Sequence, residues 1–143
     1  MVVDYKALGK KNRAAGKKFE FEVRGDLEKE GWTVCRWSNQ IEFNDETGEG
    51  RIVGAKPKWN PFKKTMMYAN AGFPDYIAFR KNKNNGAMNF NVVLIESKKN
   101  GYLDPEEKKK CNWLIKNKIV NAVFIAKKSK QGGIEYTKLK YEG

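Results

Sequence analysis

A chain of 143 residues, 40% hydrophobic and 32% charged, is long enough for one domain with a real core and too short for two. Its formal net charge of +12 favours a polyanionic partner, with nucleic acid ahead of an acidic membrane surface. The absence of histidine excludes His-based general-base catalysis, His-containing triads and the usual zinc sites. Catalysis would rest on Asp, Glu, Lys, Tyr or Ser, and a hard metal held by carboxylates is the natural solution.

Cys35 and Cys111 lie far apart without metal-site spacing and read as half-buried free thiols of a reducing compartment. No apolar run could span a bilayer and no signal-peptide core is present, so a cytoplasmic protein that enters no membrane is expected. A single domain over residues 1–143 is expected, with a basic N-terminal arm (1–16) and an insertion (38–71).

The arm and the residues just after it carry Lys6, Lys10, Lys11, Arg13, Lys17 and Lys18 among small residues. It reads as a flexible arm or as the first turns of a helix, and as phosphate-binding or merely solvated. Residues 17–30 are an amphipathic helix with the core stripe Phe19, Val23, Leu27 and a stop at Gly31. Glu20 lies roughly 60° from the stripe's centre, at the border where an acid can face a cleft. Glu22, roughly 100° away, is a surface acid within reach of Lys18 one turn earlier.

Residues 32–37 alternate as a first strand. Residues 38–71 break the pattern and are too long for a simple loop. There, Lys56, Lys58, Lys63 and Lys64 interleave with Trp59 and Phe62. The lysines are expected to grip nucleic acid, and the aromatics to cover the sheet.

Two buried strands follow, 72–79 and 92–98, joined through the polar turn at 81–86 as a hairpin. Asp104 at the N-cap, Pro105 at N1 and Glu107 at N3 then open a second helix to about Asn117. That cap is worth about 1 kcal/mol. Cys111, Leu114 and Ile115 form its core face, and the Lys108–Lys110 run either touches a backbone or is solvated. Residues 120–127 are a buried strand reached by a right-handed crossover, hence parallel to the strand before the helix. Residues 134–140 suit an edge strand.

Strand geometry singles out the hairpin. Glu96 and Lys98 share a face by period two, and the start of the preceding strand brings Asp75 beside Glu96. Two carboxylates at one spot repel unless a cation lies between them, and Mg²⁺ suits hard oxygen ligands shared with water and phosphate. Lys98 would stand next to the metal-bound water or the phosphate. The plain alternative is a surface hairpin carrying a Glu–Lys pair.

Pro74-Asp75 followed by Glu96-Ser97-Lys98 resembles the PD-(D/E)xK nuclease superfamily. The stretch from Gly16 through Glu20 to Arg36 is similar to the first helix and strand of archaeal Holliday junction resolvases, whose helix acid falls on Glu20. Gly72-Phe73-Pro74-Asp75 is closer to VRR-NUC nucleases, although Glu107 or Lys108 stands where that family has glutamine. The likeness covers residues 16–37 and 72–127. The insertion departs from the more compact resolvases and puts junction specificity in question.

The resemblance implies an α/β restriction-endonuclease-like core (αβββαβ), a mixed central sheet flanked by helices. It also implies a Mg²⁺- or Mn²⁺-dependent endodeoxyribonuclease acting as a homodimer on DNA, branched DNA first. Asp75, Glu96 and the Ser97 carbonyl would hold the metal, Glu20 would help through water, and Lys98 would stabilise the transition state. Lys10, Lys11, Arg13, Lys17, Lys56, Lys58, Lys63 and Lys64 would contact the nucleic acid. The alternatives are a general VRR-NUC or restriction-type nuclease and a non-catalytic basic binding module.

Overall fold

Residues Phe90–Ser97 form a strand buried on both faces, and the rest of the protein is layered on it. The computed structural model describes residues 3–67, 72–83 and 89–143. In chain order the elements are α1 (Tyr5–Lys29), β1 (Thr33–Arg36), β2 (Asn39–Phe43), β3 (Gly50–Gly54), β4 (Lys58–Asn60) and β5 (Thr65–Met67). Then come β6 (Tyr76–Lys81), β7 (Phe90–Ser97), α2 (Pro105–Lys116), β8 (Ala122–Lys128) and β9 (Ile134–Lys138).

The main sheet has five strands in the order β1-β6-β7-β8-β9. β7 and β8 are parallel, as the crossover through α2 requires, and the other neighbours are antiparallel. The α/β class and the mixed sheet agree with the sequence reading. So do the β6–β7 hairpin, the buried β8 and the edge position of β9. The turn at 84–86 lies outside the described residues.

Side-chain alternation splits the core into two layers. Val93 and Ile95 face the stripe Phe19, Val23 and Leu27 of α1, together with Tyr76 and Ala78. Leu94 faces Cys111 and Leu114 of α2, with Val123 and Ile41. Each such buried aliphatic side chain contributes roughly 1.5–3 kcal/mol. Cys111 belongs to this core and Cys35 is exposed; both are free thiols, so the expectation of two half-buried thiols fails in opposite directions.

α1 starts at Tyr5, so the basic segment takes the helical alternative rather than the flexible arm. Asp4 caps it, accepting hydrogen bonds from the Lys6 and Ala7 amides at 3.1 Å. It ends at Lys29, and the left-handed Gly31 (φ +88°) follows the cap: Trp32 N–H donates to the Leu27 carbonyl and Gly31 N–H to that of Glu28. Before Phe19 no residue of α1 is buried. Roughly 20 Å of helix therefore projects beyond the sheet. α2 has the expected capping box: Asp104 accepts from the Glu107 amide at 2.8 Å, and Glu107 accepts from the Asp104 amide at 3.1 Å.

The insertion is not irregular. It contains two hairpins, β2–β3 and β4–β5; Tyr68 and residues 69–71 lie outside the described residues. The first hairpin packs on α2. Ile41 is buried and Phe43 rests against the same cluster. Gly50 lies so close to the Trp113 indole that a Cβ there would overlap the ring. Lys109 and Lys110 sit over Phe43 and Phe73 at 4.2 and 5.7 Å, and Lys110 donates to Gln40 at 3.2 Å. These two lysines are thus tied to the hairpin.

The second hairpin contradicts the expectation that its aromatics cover the sheet, because Trp59 and Phe62 are 59% and 95% exposed. It is Ile41 and Phe43 of the first hairpin that pack into the α2-side core instead. Among the described residues no helix is long and apolar enough to cross a membrane.

Candidate active site

The acids of interest gather where β6 begins and β7 ends. Trp37 fixes the entry to β6 from two sides: its indole N–H donates to the Phe73 carbonyl and its amide to the Asp75 carbonyl, both at 3.0 Å. Gly72 fits only because it lacks a side chain, since a Cβ would collide with the carbonyl oxygens of Trp37 and Asn39. The Phe73–Pro74 peptide is cis.

Tyr76 pairs with Ile95, and continuing that register sets Asp75 opposite Glu96. The Ser97 amide donates to Asp75 Oδ2 at 2.8 Å. Glu96 is 5% exposed, the buried charged residue of the core. Burial first, then the Asp75 charge and a hydrogen bond to it, push the Glu96 carboxyl up to about 10, and Lys98 opposes this only in part. Glu96 Oε2 and Ser97 Oγ are buried without a hydrogen-bond partner among the described residues.

Lys98 lies on the α2 side, as its shared face with Leu94 and Glu96 requires. Its ammonium pairs with Glu107 Oε2 at 2.7 Å. Burial lowers its pKa, but the hydrogen bond and charge of Glu107, with Glu96 behind, outweigh burial and hold it above the ordinary lysine value. Glu107 therefore caps α2 with one oxygen and anchors Lys98 with the other. From the sequence alone Glu107 reads as a cap and as a stand-in for glutamine. Its bond to Lys98 was not foreseen, although a capping glutamate one short loop after a strand-end lysine is the pattern that would have pointed to it.

Glu20 approaches from the α1 side. It is half-buried, and its pKa is raised by burial first and then by Asp75, against Arg36 and Lys17. Tyr76 reinforces that approach by donating its hydroxyl to the Glu20 carbonyl at 3.1 Å. Even so, no group of three or more Asp, Glu, Cys or His side chains positioned to hold a metal occurs among the described residues. Glu20 thus borders the Asp75–Glu96 pair without completing a triad of ligands. Arg36, absent from the expected site, ends β1 opposite Tyr76 and acts on Glu20. Glu22 does not pair with Lys18 but with Lys128, at 2.9 Å.

Lys10, Lys11, Arg13 and Lys17 are exposed on the projecting part of α1, with Lys10, Arg13 and Lys17 sharing a face. Lys17 is close enough to act on Glu20, so this face leads away from the site. Lys56, Lys63 and Lys64 are exposed around the second hairpin, and the side chain of Lys58 lies outside the described residues.

Fold and site together define an α/β domain with two carboxylates and an anchored lysine at one end of a mixed sheet. No protein-family model, curated protein or solved structure matches the chain.

Proposed function

We propose that the protein is a metal-dependent endodeoxyribonuclease with a restriction-endonuclease-like core, acting by preference on branched DNA. The observation that carries this reading is Glu96: a carboxylate buried in the sheet beside Asp75, with an oxygen that has no hydrogen-bond partner among the described residues. Such an arrangement destabilises the fold unless a ligand uses it. The order α1-β1-β6-β7-α2-β8 supports it, as does the resemblance of Pro74-Asp75 and Glu96-Ser97-Lys98 to the PD-(D/E)xK motif.

The donor set fits a hard cation. Two carboxylate oxygens and the Ser97 carbonyl would hold Mg²⁺, or Mn²⁺ with its similar preference, and water would complete the shell. When bound, the ion supplies Lewis acidity toward a phosphoryl oxygen and a more acidic water. The chain's own residues do the rest. Lys98, kept charged by Glu107, faces the negative charge that grows on the phosphate and stabilises it. An ammonium held this way is no general base. Glu20 accepts a hydrogen bond from water at the edge of the site. Lys10, Arg13 and Lys17 align the backbone along α1. Cutting both strands of a branch symmetrically calls for two copies of the chain.

The test is cleavage of labelled four-way junction, linear duplex and single-stranded DNA, with Mg²⁺ and with EDTA, for wild type and Glu96→Gln. Junction nicks lost in EDTA and in the variant are expected. Cutting of all three substrates would replace branch preference by a general nuclease. Tight, salt-sensitive binding without cleavage would reduce the protein to a binding module.

A further inference from the structure

The β4–β5 hairpin carries groups that the carboxylate site does not use. Trp59 and Met66 are register partners and so share one face of the ribbon, at 59% and 51% exposure. Phe62 stands at the turn, 95% exposed. The segment from Ala55 to Met67 contains four lysines and no acid. A hydrophobic surface set in unrelieved positive charge suits a partner that offers both flat apolar faces and anionic groups.

The turn is built from within. The Asn60 side chain accepts hydrogen bonds from the Phe62 and Lys63 amides at 2.9 and 3.1 Å. Lys64 has φ +49°, a left-handed conformation ordinarily left to Gly or Asn. The turn thereby sets the exposed Lys64 next to Lys63, so two charges flank the Phe62 ring. The chain leaves for the hairpin and returns from it beside Trp37. At one end the Ala55 amide donates to Ser38 O, and at the other the Phe73 amide donates to Asn39 O, one and two residues past the Trp37 that holds Asp75.

We infer that this hairpin binds unpaired bases: Trp59 and Phe62 stack on bases exposed in a single strand or at a branch point, and Lys63 and Lys64 hold the flanking phosphates. An intact duplex offers no free base face to the rings, so the hairpin discriminates by base pairing and not by sequence. The choice of DNA as the polyanion rests on the proposed nuclease function; the stacking argument rests on the hairpin alone.

The experiment is equilibrium binding by fluorescence anisotropy in EDTA, where cleavage is off, with a labelled single strand, a forked duplex and a blunt duplex. The Trp59→Ala/Phe62→Ala double variant is expected to lose at least about thirtyfold in affinity for the single strand and the fork, and to bind blunt duplex unchanged. Lys64→Gly keeps the turn in a conformation glycine prefers. It should flatten the salt dependence of single-strand binding by about 0.7 in log–log slope.

Equal losses on all three DNAs, or none, would overturn the inference. So would a double variant that turns a dimer into a monomer with DNA affinity intact, because the rings would then cover a second copy. Cleavage decides the nuclease reading separately. Hairpin-dependent binding by a chain that cuts nothing would keep this inference and remove that one.

Discussion

Two regions of the molecule depart from the usual sorting of side chains in opposite senses. At the end of β7 a carboxylate is buried among apolar residues. On the β4–β5 hairpin two aromatic rings stand in solvent. The neighbouring β2–β3 hairpin sorts its side chains in the ordinary way, with Ile41 buried and Phe43 packed against the same cluster as α2. Both inversions oppose stability, yet only the first strains the fold. A buried acid carries a desolvation penalty in the folded state, whereas an exposed ring merely forgoes a gain. Mutations should therefore act on stability at the first place and on binding alone at the second.

The largest effect is expected from Glu96→Gln in metal-free protein. The Glu96 carboxyl has a folded pKa of about 10 against 4.5 when unperturbed. Below the lower value it is protonated in both states and carries no penalty. Between the two, the folded state holds the proton more tightly, so stability falls as pH rises. The loss at pH 7 is on the order of 3 kcal/mol. Glutamine has no proton to lose. In EDTA the variant should be the more stable protein at neutral pH, and the gap should widen from about pH 5 to pH 9 in urea melts. Added Mg²⁺ should stabilise wild type and leave the variant unmoved. Parallel stability curves would remove the buried acid from the argument.

Next comes Glu107→Gln. The amide oxygen can still accept from the Asp104 backbone, so the cap survives, but the ion pair to Lys98 is lost. We expect kcat to fall by about tenfold with KM and melting temperature nearly unchanged. The basic limb of the pH–rate profile should move to lower pH, because Lys98 loses the partner that holds its proton. Glu107→Ala would in addition lose about 1 kcal/mol of cap. A glutamine variant with wild-type kinetics would make the Lys98–Glu107 pair purely structural.

What the sequence disclosed and what it withheld follow from the range of the signals. The stripe Phe19, Val23, Leu27 and the Asp104–Glu107 box are written within one or two helical turns. The pairing of Asp75 with Glu96 is written in two strands joined by one loop. All are local enough for periodicity and cap chemistry to reveal them. The Lys128–Glu22 pair spans the chain from α1 to β8, and its partner depends on how α1 crosses the sheet. Arg36 reaches Glu20 for the same reason. The two hairpins of the insertion escaped notice because β4 and β5 are 3 residues each and β2 and β3 are 5, too short for alternation to stand out. Ile41, between Gln40 and Glu42, and Trp59, between Lys58 and Asn60, carry no short-range signal that separates them.

The smallest effect is expected at Trp59, and Ile41 is the control that gives it meaning. Ile41 lies in the α2-side core at 4% exposure, and Ile41→Ala should cost about 2–5 kcal/mol through lost burial and the cavity left behind. Trp59→Ala, on a ribbon that packs no ring into the sheet, should change stability by less than about 0.5 kcal/mol. The larger side chain would thus matter less to the fold, the reverse of what size and hydrophobicity alone give. Urea denaturation of the two single variants, read by far-ultraviolet circular dichroism, measures both without relying on tryptophan fluorescence. Similar losses would mean that the Trp59 ring packs against the body of the protein in solution, and the contrast between the two hairpins would disappear. A near-zero change for Trp59 leaves the ring without a structural role and free to act in binding.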